Sequence, residues 1–512
     1  MRTVSLSSVV VLIGACSGPP APMATSPRVA PPAPAPLAGD TTITTPTGAT
    51  LVAPKGWWLS ESGGAIALAD PDRAVTATII ATPEADPAAA IAAAWQRVRP
   101  GFARAIRRSA QPPPRRGWQA NTEVDYDTGA GEHRVVRASA RRYRETTYVA
   151  LVEGDAAAAA RRGAQLETAL GTLTPPGMRD ESFAGIAPRP IDAARAAALD
   201  AFIAGAQARL AVPGAAVAVI AGGKVVYERS VGVRALGRRE PITPRTLFLL
   251  ASVTKPMTTL MQAALVDAGT LTWDTPVTQL LPGFALGDPE VTRKLRLWHM
   301  SCACSGMPRR DLDHIFEFAG VTAEARVASM KTMTPTTGFG DTYQYSNLMV
   351  AAGGFAAAHA ADPDQRPQRR RLRATPLQRR VKRKVLELLF DGADVASTGV
   401  AYYVTSQREA AAAAQLGLDR APDVAWQRGL AGRYRNPSLG VVELRAGSPL
   451  GTFDAGEWQL RFGRRVASDG TVKLVFVDPP FAGGELVVGG DAAHPTLTVP
   501  YGQVGYVFER AR

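Results

Sequence analysis

The run Phe248-Leu249-Leu250-Ala251-Ser252-Val253-Thr254-Lys255-Pro256-Met257 constrains this chain more than any other stretch. Proline has no N–H, so a helix tolerates it only in the first turn, where those donors are unpaired anyway. Pro256 therefore sets a helix start near Ser252 or Val253. Gly269, a residue suited to the left-handed cap, sets the end. On such a helix Ser252 and Lys255 share one face, a turn apart, at the positive end of the dipole. A serine hydroxyl is a weak nucleophile until a base takes its proton, and an amine one turn away can do that. Read alone, the same residues also describe an N-cap serine followed by a solvated lysine.

With 512 residues and 46% hydrophobic content, the chain has material for two to four domains with real cores. The formal charge of +13 suggests a nucleic-acid partner until it is located. Ten Lys/Arg lie between Arg366 and Lys384 with no acid among them, which leaves the remainder near +3. The N-terminus carries Arg2, a short apolar run from Val4 to Gly14, and then Ile13-Gly14-Ala15-Cys16. This reads as a secretory leader, too short to span a bilayer. Ile-Gly-Ala-Cys resembles the bacterial lipoprotein box, which implies lipidation of Cys16 and an envelope protein tethered on the periplasmic side. Such a protein rarely meets nucleic acid, so no nucleic-acid partner is expected. Of the remaining cysteines, Cys302 and Cys304 are read as two small buried thiols, although a Cys-x-Cys pair can also close a disulfide. The five histidines are scattered, and no metal or cofactor is expected.

The chain divides at composition shifts. Residues 1–16 are the leader and 17–39 a stiff Pro/Ala spacer. Residues 40–176 alternate strand patterns (Thr50–Val52, Ala65–Leu68, Ala74–Ile80, Trp118–Tyr126, Arg134–Arg141, Thr147–Val152) with helices at Asp86–Arg99 and Asp155–Leu170, an α+β domain without a catalytic constellation. Past Pro175-Pro176-Gly177 come an amphipathic helix at Asp192–Arg209, an apolar strand at Val212–Ile220, a Gly222-Gly223 turn and a return strand at Lys224–Arg229.

The passage from Val212-Pro213-Gly214 through that hairpin to Phe248 and Ser252-Val253-Thr254-Lys255 resembles the serine β-lactamase-related family. Its members include class C β-lactamases, D-alanyl-D-alanine carboxypeptidases and esterases. Leu265-Val266-Asp267-Ala268-Gly269-Thr270-Leu271 and Leu297 to Pro308 continue the likeness, and Tyr343-Gln344-Tyr345-Ser346-Asn347 supplies the family's Tyr-x-Asn. The resemblance implies an acyl-serine mechanism on a small acyl substrate (β-lactam, peptide or ester). Ser252 is then the nucleophile and Lys255 its partner. Tyr345 exchanges a proton with Ser252 and the leaving group, and Asn347 orients the substrate amide and holds Lys255. A lysine ammonium favours the phenolate of a neighbouring tyrosine.

The family's third element, a Lys/His-x-Gly strand beside the serine, has no match after Asn347; Ser397-Thr398-Gly399 is the nearest echo. The interval to the domain's closing helix near Val385–Gly392 is also short. The expectation is therefore an incomplete β-lactamase-like domain at 190–405, an antiparallel sheet with helices, interrupted at 361–384 by an Arg-rich irregular segment. A deletion or frame-disrupted join accounts for both that composition and the missing length. Residues 425–512 carry short strands with Gly/Asp/Pro turns and read as a small antiparallel β-barrel-like domain. The functional expectation is a serine hydrolase of impaired activity, the alternative a catalytically inactive envelope lipoprotein with a binding or scaffold role.

Overall fold

The computed structural model describes residues 35–512 apart from 249, 313–321, 362–375, 457, 468, 480, 502–503 and 512. Cys16, the leader, the spacer up to residue 34 and the first part of the basic segment lie outside the described residues.

The N-terminal part opens with a hairpin of β1 (Thr41–Thr44) and β2 (Thr50–Ala53). β3 (Trp58–Ser62), β4 (Ala65–Ala69), β5 (Val75–Thr82), β6 (Ile106–Ala110), β7 (Ala120–Tyr126), β8 (Arg134–Tyr143) and β9 (Thr146–Asp155) then form one antiparallel sheet. Its order is β3-β4-β5-β9-β8-β7-β6. The helix α1 (Pro87–Val98) starts where Asp86 accepts the N–H of Ala88 and Ala89, with Pro87 at the first position. Ala90, Ile91, Ala94 and Trp95 recur at helical spacing, so one stripe of α1 buries against Val136, Ala138, Val149 and Leu151. The single helix expected over 155–170 is two, α2 (Ala156–Arg161) and α3 (Gly163–Gly171). They part at Arg162, whose guanidinium turns inward to the fully buried Asp70 (3.7 Å) and to Asp72 (3.6 Å). Asp70 Oδ1 accepts the Ala74 and Val75 N–H groups, and Arg162 brings the opposite charge that a carboxylate buried this deeply calls for.

The central part contains α4 (Ala193–Arg209), a hairpin of β10 (Gly214–Ala221) and β11 (Lys224–Gly232), α5 (Thr254–Asp267), α6 (Asn347–Ala361), α7 (Pro376–Phe390) and α8 (Val395–Ala413). Leu199, Ile203, Val212, Tyr227, Leu377, Val381 and Val400 form a core joining α4, the hairpin, α7 and α8. Tyr227 donates to Asp200 at 2.6 Å, tying β11 to α4. One expectation is corrected here. The basic segment is not irregular from Pro376 onward, because Leu377, Val381, Val385 and Leu388 fall on one helical face of α7 and pack into this core while Arg and Lys take the other. Ser397-Thr398-Gly399, whose first residue is neither basic nor imidazole, lies in the opening of α8, with Arg380 packed against Gly399, in keeping with the absence of a third-element match there.

Among the described residues β10 and β11 pair only with each other. α5 is correspondingly bare. Val253, Met257, Leu260 and Met261 fall on one helical stripe, and Leu260 is 70% exposed.

Past the two-residue β12 (Leu418–Asp419) come β13 (Gly432–Asn436), β14 (Gly440–Arg445), β15 (Gly451–Asp454), β16 (Gln459–Val466), β17 (Val472–Phe476), β18 (Glu485–Gly490), β19 (Pro495–Tyr501) and β20 (Val504–Arg510). Each of β13 to β20 pairs antiparallel with the next, and β20 returns to β13, closing an eight-stranded barrel onto which β12 adds at β16. Tyr434, Phe453, Phe462, Leu474, Leu497 and Phe508 fill its interior. The whole is a mixed α/β chain of antiparallel sheets with helices, ending in this closed barrel.

The barrel has no free edge, whereas β10 (GAAVAVIA) has one without a charge or proline to blunt it. The chain is expected to self-associate as concentration rises. Ala218→Lys, on the exposed face of β10, should reduce this in size-exclusion chromatography with light scattering. A wild-type chain that stays monomeric throughout would contradict the bare edge.

Candidate active site

The backbone reaches Ser252 through a single tight turn, Ala251–Val253, that feeds α5. Ala251 holds φ of 47°, a left-handed value that is rare for a residue with a Cβ and costs about 1–3 kcal/mol. The strain sits next to the candidate nucleophile. Pro256 takes the third position of α5, where no N–H is needed, and Thr270 closes the helix by donating to the Leu265 carbonyl at 2.9 Å around Gly269.

The four site residues expected from sequence come together. The Ser252 hydroxyl lies 2.5 Å from the Tyr345 hydroxyl, and Lys255 Nζ donates to Ser252 Oγ at 3.2 Å. The same ammonium donates to Asn347 Oδ1 at 2.6 Å and stands 4.6 Å from the Tyr345 ring centroid. Ser252 is exposed and Lys255 half-buried, so the hydroxyl is accessible while the lysine is held.

These contacts join residues more than ninety positions apart because α5 and α6 pack closely. Gly354 allows it, since a Cβ there would stand 2.8 Å from Thr258 Cγ2. Asn347 opens α6 at the end facing Lys255. The loop before it is pinned by Gln344, which is buried. Its N–H donates to the Ala303 carbonyl at 2.7 Å, and its amide NH2 donates to the Gly306 carbonyl at 3.2 Å and to Thr337 Oγ1. Gly306 holds φ of 76°, and a Cβ there would meet the Thr337 carbonyl oxygen at 2.4 Å. In the same loop Cys302 and Cys304 are joined by a disulfide, which corrects the expectation of two thiols. The spacing permits either state, and only the approach of the two side chains decides.

Sequence reasoning missed three neighbours. Asn347 Nδ2 donates to Asp311 Oδ1 at 2.7 Å. Arg309 is ion-paired with Asp311, and its guanidinium lies 5.1 Å from the Tyr345 ring centroid. Gln344 is the third. Of these only Gln344 carries a signal, its place between Tyr343 and Tyr345; in Arg309-Arg310-Asp311 the charges look like a solvated face.

His299 is not part of this cluster. Burial, with Arg296 close by, pushes its imidazole below the ordinary range. The neutral Nδ1 accepts the Arg296 N–H at 3.0 Å while the ring stacks on Trp298. No group of three or more His, Cys, Asp or Glu among the described residues is placed to hold a metal ion.

Residues 199–442 match the family model described as Beta-lactamase. The chain is 40% identical over 96 residues to "Penicillin-binding protein 4" of Amycolatopsis lactamdurans, covering 19% of this chain and 25% of that protein. It is 41% identical over 95 residues to "Esterase EstB" of Burkholderia gladioli, covering 18% and 24%. With the human "Serine beta-lactamase-like protein LACTB, mitochondrial" the identity is 34% over 94 residues, 17% of each chain. The chain thus spans about a quarter or less of the length of these curated relatives. A solved class C beta lactamase from Rhodobacter sphaeroides overlaps 62% of this chain and 94% of its own at 16% identity, with a TM-score of 0.26, too loose a likeness to carry an argument. By the family match and these relatives together, the chain carries a domain of the β-lactamase family of serine hydrolases.

Proposed function

We propose that this domain acylates Ser252 from a small ester or amide and releases the acyl group to water slowly. The observation that carries the reading is the Ser252 hydroxyl, 2.5 Å from the Tyr345 oxygen and 3.2 Å from Lys255 Nζ. The forward step calls for Tyr345 as the phenolate: Ser252 Oγ bonds to the carbonyl carbon, the carbonyl π pair moves onto its oxygen, and the serine proton passes to the Tyr345 oxygen. Lys255, donating to Oγ, offsets the charge that develops there. The tetrahedral adduct collapses as the carbon–oxygen or carbon–nitrogen bond breaks, and Tyr345 returns the proton to the leaving group. Water repeats the sequence on the acyl-serine, breaking the Oγ–carbon bond and restoring the hydroxyl.

The reading includes impaired turnover because β10 and β11 have no further strand beside them among the described residues. A backbone donor from such a strand would complete the oxyanion hole, and losing one donor costs about 10²–10³ in kcat. Arg309 does place a cation near Tyr345, from the loop that also carries Asp311 rather than from a third-element strand. The same two-stranded sheet favours the second reading, an inactive envelope protein that binds or scaffolds. Purified chain is expected to hydrolyse p-nitrophenyl acetate feebly, and nitrocefin not measurably, with Ser252→Ala falling to the buffer rate. Ester hydrolysis that persists unchanged in Ser252→Ala would leave the scaffold reading standing. Nitrocefin turnover at ordinary β-lactamase rates would sink the impairment.

The anchor belongs to the same proposal: Cys16 is lipidated and holds the exported domain at the bacterial envelope. No helix among the described residues is long and apolar enough to cross a membrane. Cys16→Ser is expected to free the chain from the membrane fraction and to block incorporation of a labelled fatty acid. Unchanged partitioning of that variant would refute the anchor.

A further inference from the structure

We propose that Asp311 is a positioning residue that fixes the amide of Asn347 with its carbonyl end toward Lys255; the consequence for acylation rests on the function proposed above. The two ends of an asparagine amide are nearly the same size, and hydrogen-bond partners alone decide which way the group faces. An ionised carboxylate only accepts and an ammonium only donates. With Asp311 Oδ1 at 2.7 Å on one side and Lys255 Nζ at 2.6 Å on the other, a single orientation satisfies both. The NH2 faces Asp311 and the carbonyl faces Lys255. The relay therefore runs from carboxylate through amide to ammonium, and the ammonium reaches Ser252 Oγ at 3.2 Å.

Asp311 is itself held. Its other oxygen, Oδ2, takes the Arg309 guanidinium, and its side chain is only 15% exposed. A carboxylate this far from water is retained only when its oxygens are satisfied, and here Arg309 and Asn347 each take one. The loop that carries it is stitched to the loop carrying Tyr345 by Gln344, through the Ala303 and Gly306 carbonyls. Asp311 and Asn347 consequently sit on one platform, and Lys255 on α5 meets that platform from the opposite side. Without Asp311 the amide NH2 loses its acceptor. The amide can then rotate, and Lys255 loses the fixed acceptor that aims it at Ser252.

The sequence offers an unusually clean readout, because the chain has three asparagines, Asn121, Asn347 and Asn436. Labelling with 15N-asparagine gives three side-chain amide pairs, and Asn347→Ala identifies the pair of interest by its disappearance. In the full-length chain Asp311→Ala is expected to shift the Asn347 pair and speed its exchange with solvent at least about tenfold, since a charge-assisted bond to a half-buried donor is lost. The Asn121 and Asn436 pairs should stay in place and so report that the fold is intact. Asp311→Asn, whose own carbonyl can still accept, should give a smaller shift. If the isosteric Asp311→Asn and Asp311→Ala both leave the Asn347 pair unmoved, the proposal is overturned.

A kinetic arm links this to Ser252. Modification of Ser252 by a fluorophosphonate is expected to slow about tenfold in Asp311→Ala, and the same change made in Asn347→Ala should slow it no further. An equal additional loss in that background would overturn the proposal, because Asp311 would then act by some other route. A wild-type chain that never reacts while its Asn347 pair still answers to Asp311 would refute the proposed activity and uphold the positioning role.

Discussion

The geometry around Ser252 depends on one bond, from the Lys255 ammonium to the Asn347 amide oxygen at 2.6 Å. It crosses between α5 and α6, the two helices that carry the separated halves of the site. A charge-assisted bond of this kind is roughly twice as strong as a neutral one. It forms here because small residues let α6 pack closely: Gly354 sits against Thr258 of α5, and Gly353 against Met300 in the turn at Leu297–Met300. A larger residue at either position would push α6 outward, and Tyr345 would leave the 2.5 Å contact with Ser252. The rest of the local structure maintains that approach. Met300, Met307, Leu348, Met349 and Ala352 fill the space beneath, and Gln262 in the middle of α5 is fully buried and accepts the Ser301 hydroxyl at 3.1 Å.

The same region is finished on one side and open on the other. Below α5 lies the Met/Leu core; above it Val253, Met257 and Leu260 face solvent. The hairpin β10–β11 is likewise packed on the face that holds Tyr227 and exposed along Ile220, Val225 and Val226. Apolar exposure on each of these two elements is what a domain lacking further strands beside them would show. The cluster of Ser252, Lys255, Tyr345 and Asn347 therefore stands on a well-packed half, while the apolar faces of α5 and the hairpin are bare. This is the physical basis for proposing acylation with poor turnover rather than either full activity or none.

Much of this was legible because a few residues allow few conformations. Pro256 and Gly269 bracket α5, Asp86-Pro87 opens α1, and turn residues at short intervals announce the barrel. Ser252 and Lys255 stood out through their place at a helix start, and Tyr345 and Asn347 through the resemblance to the family's Tyr-x-Asn. What stayed hidden depends on tertiary contact. The break at Arg162 follows from a buried Asp70 ninety-two residues earlier, which no local pattern encodes. In α7 the Arg and Lys residues masked the stripe of Leu377, Val381, Val385 and Leu388. Short barrel strands such as β15, four residues long, lack enough alternation to be recognised. Asp311 and Gln344 matter only through what they touch.

The central claim is that Ser252 can be made to form a covalent bond while its neighbours cannot. Brief exposure of the folded chain to a fluorophosphonate, followed by proteolysis and peptide mapping by mass spectrometry, tests it directly. The account predicts one dominant adduct, on the peptide containing Ser252, lost when the chain is first unfolded in urea and strongly diminished in Lys255→Ala. No adduct on folded protein, or an adduct spread over several serines and indifferent to unfolding, would contradict it.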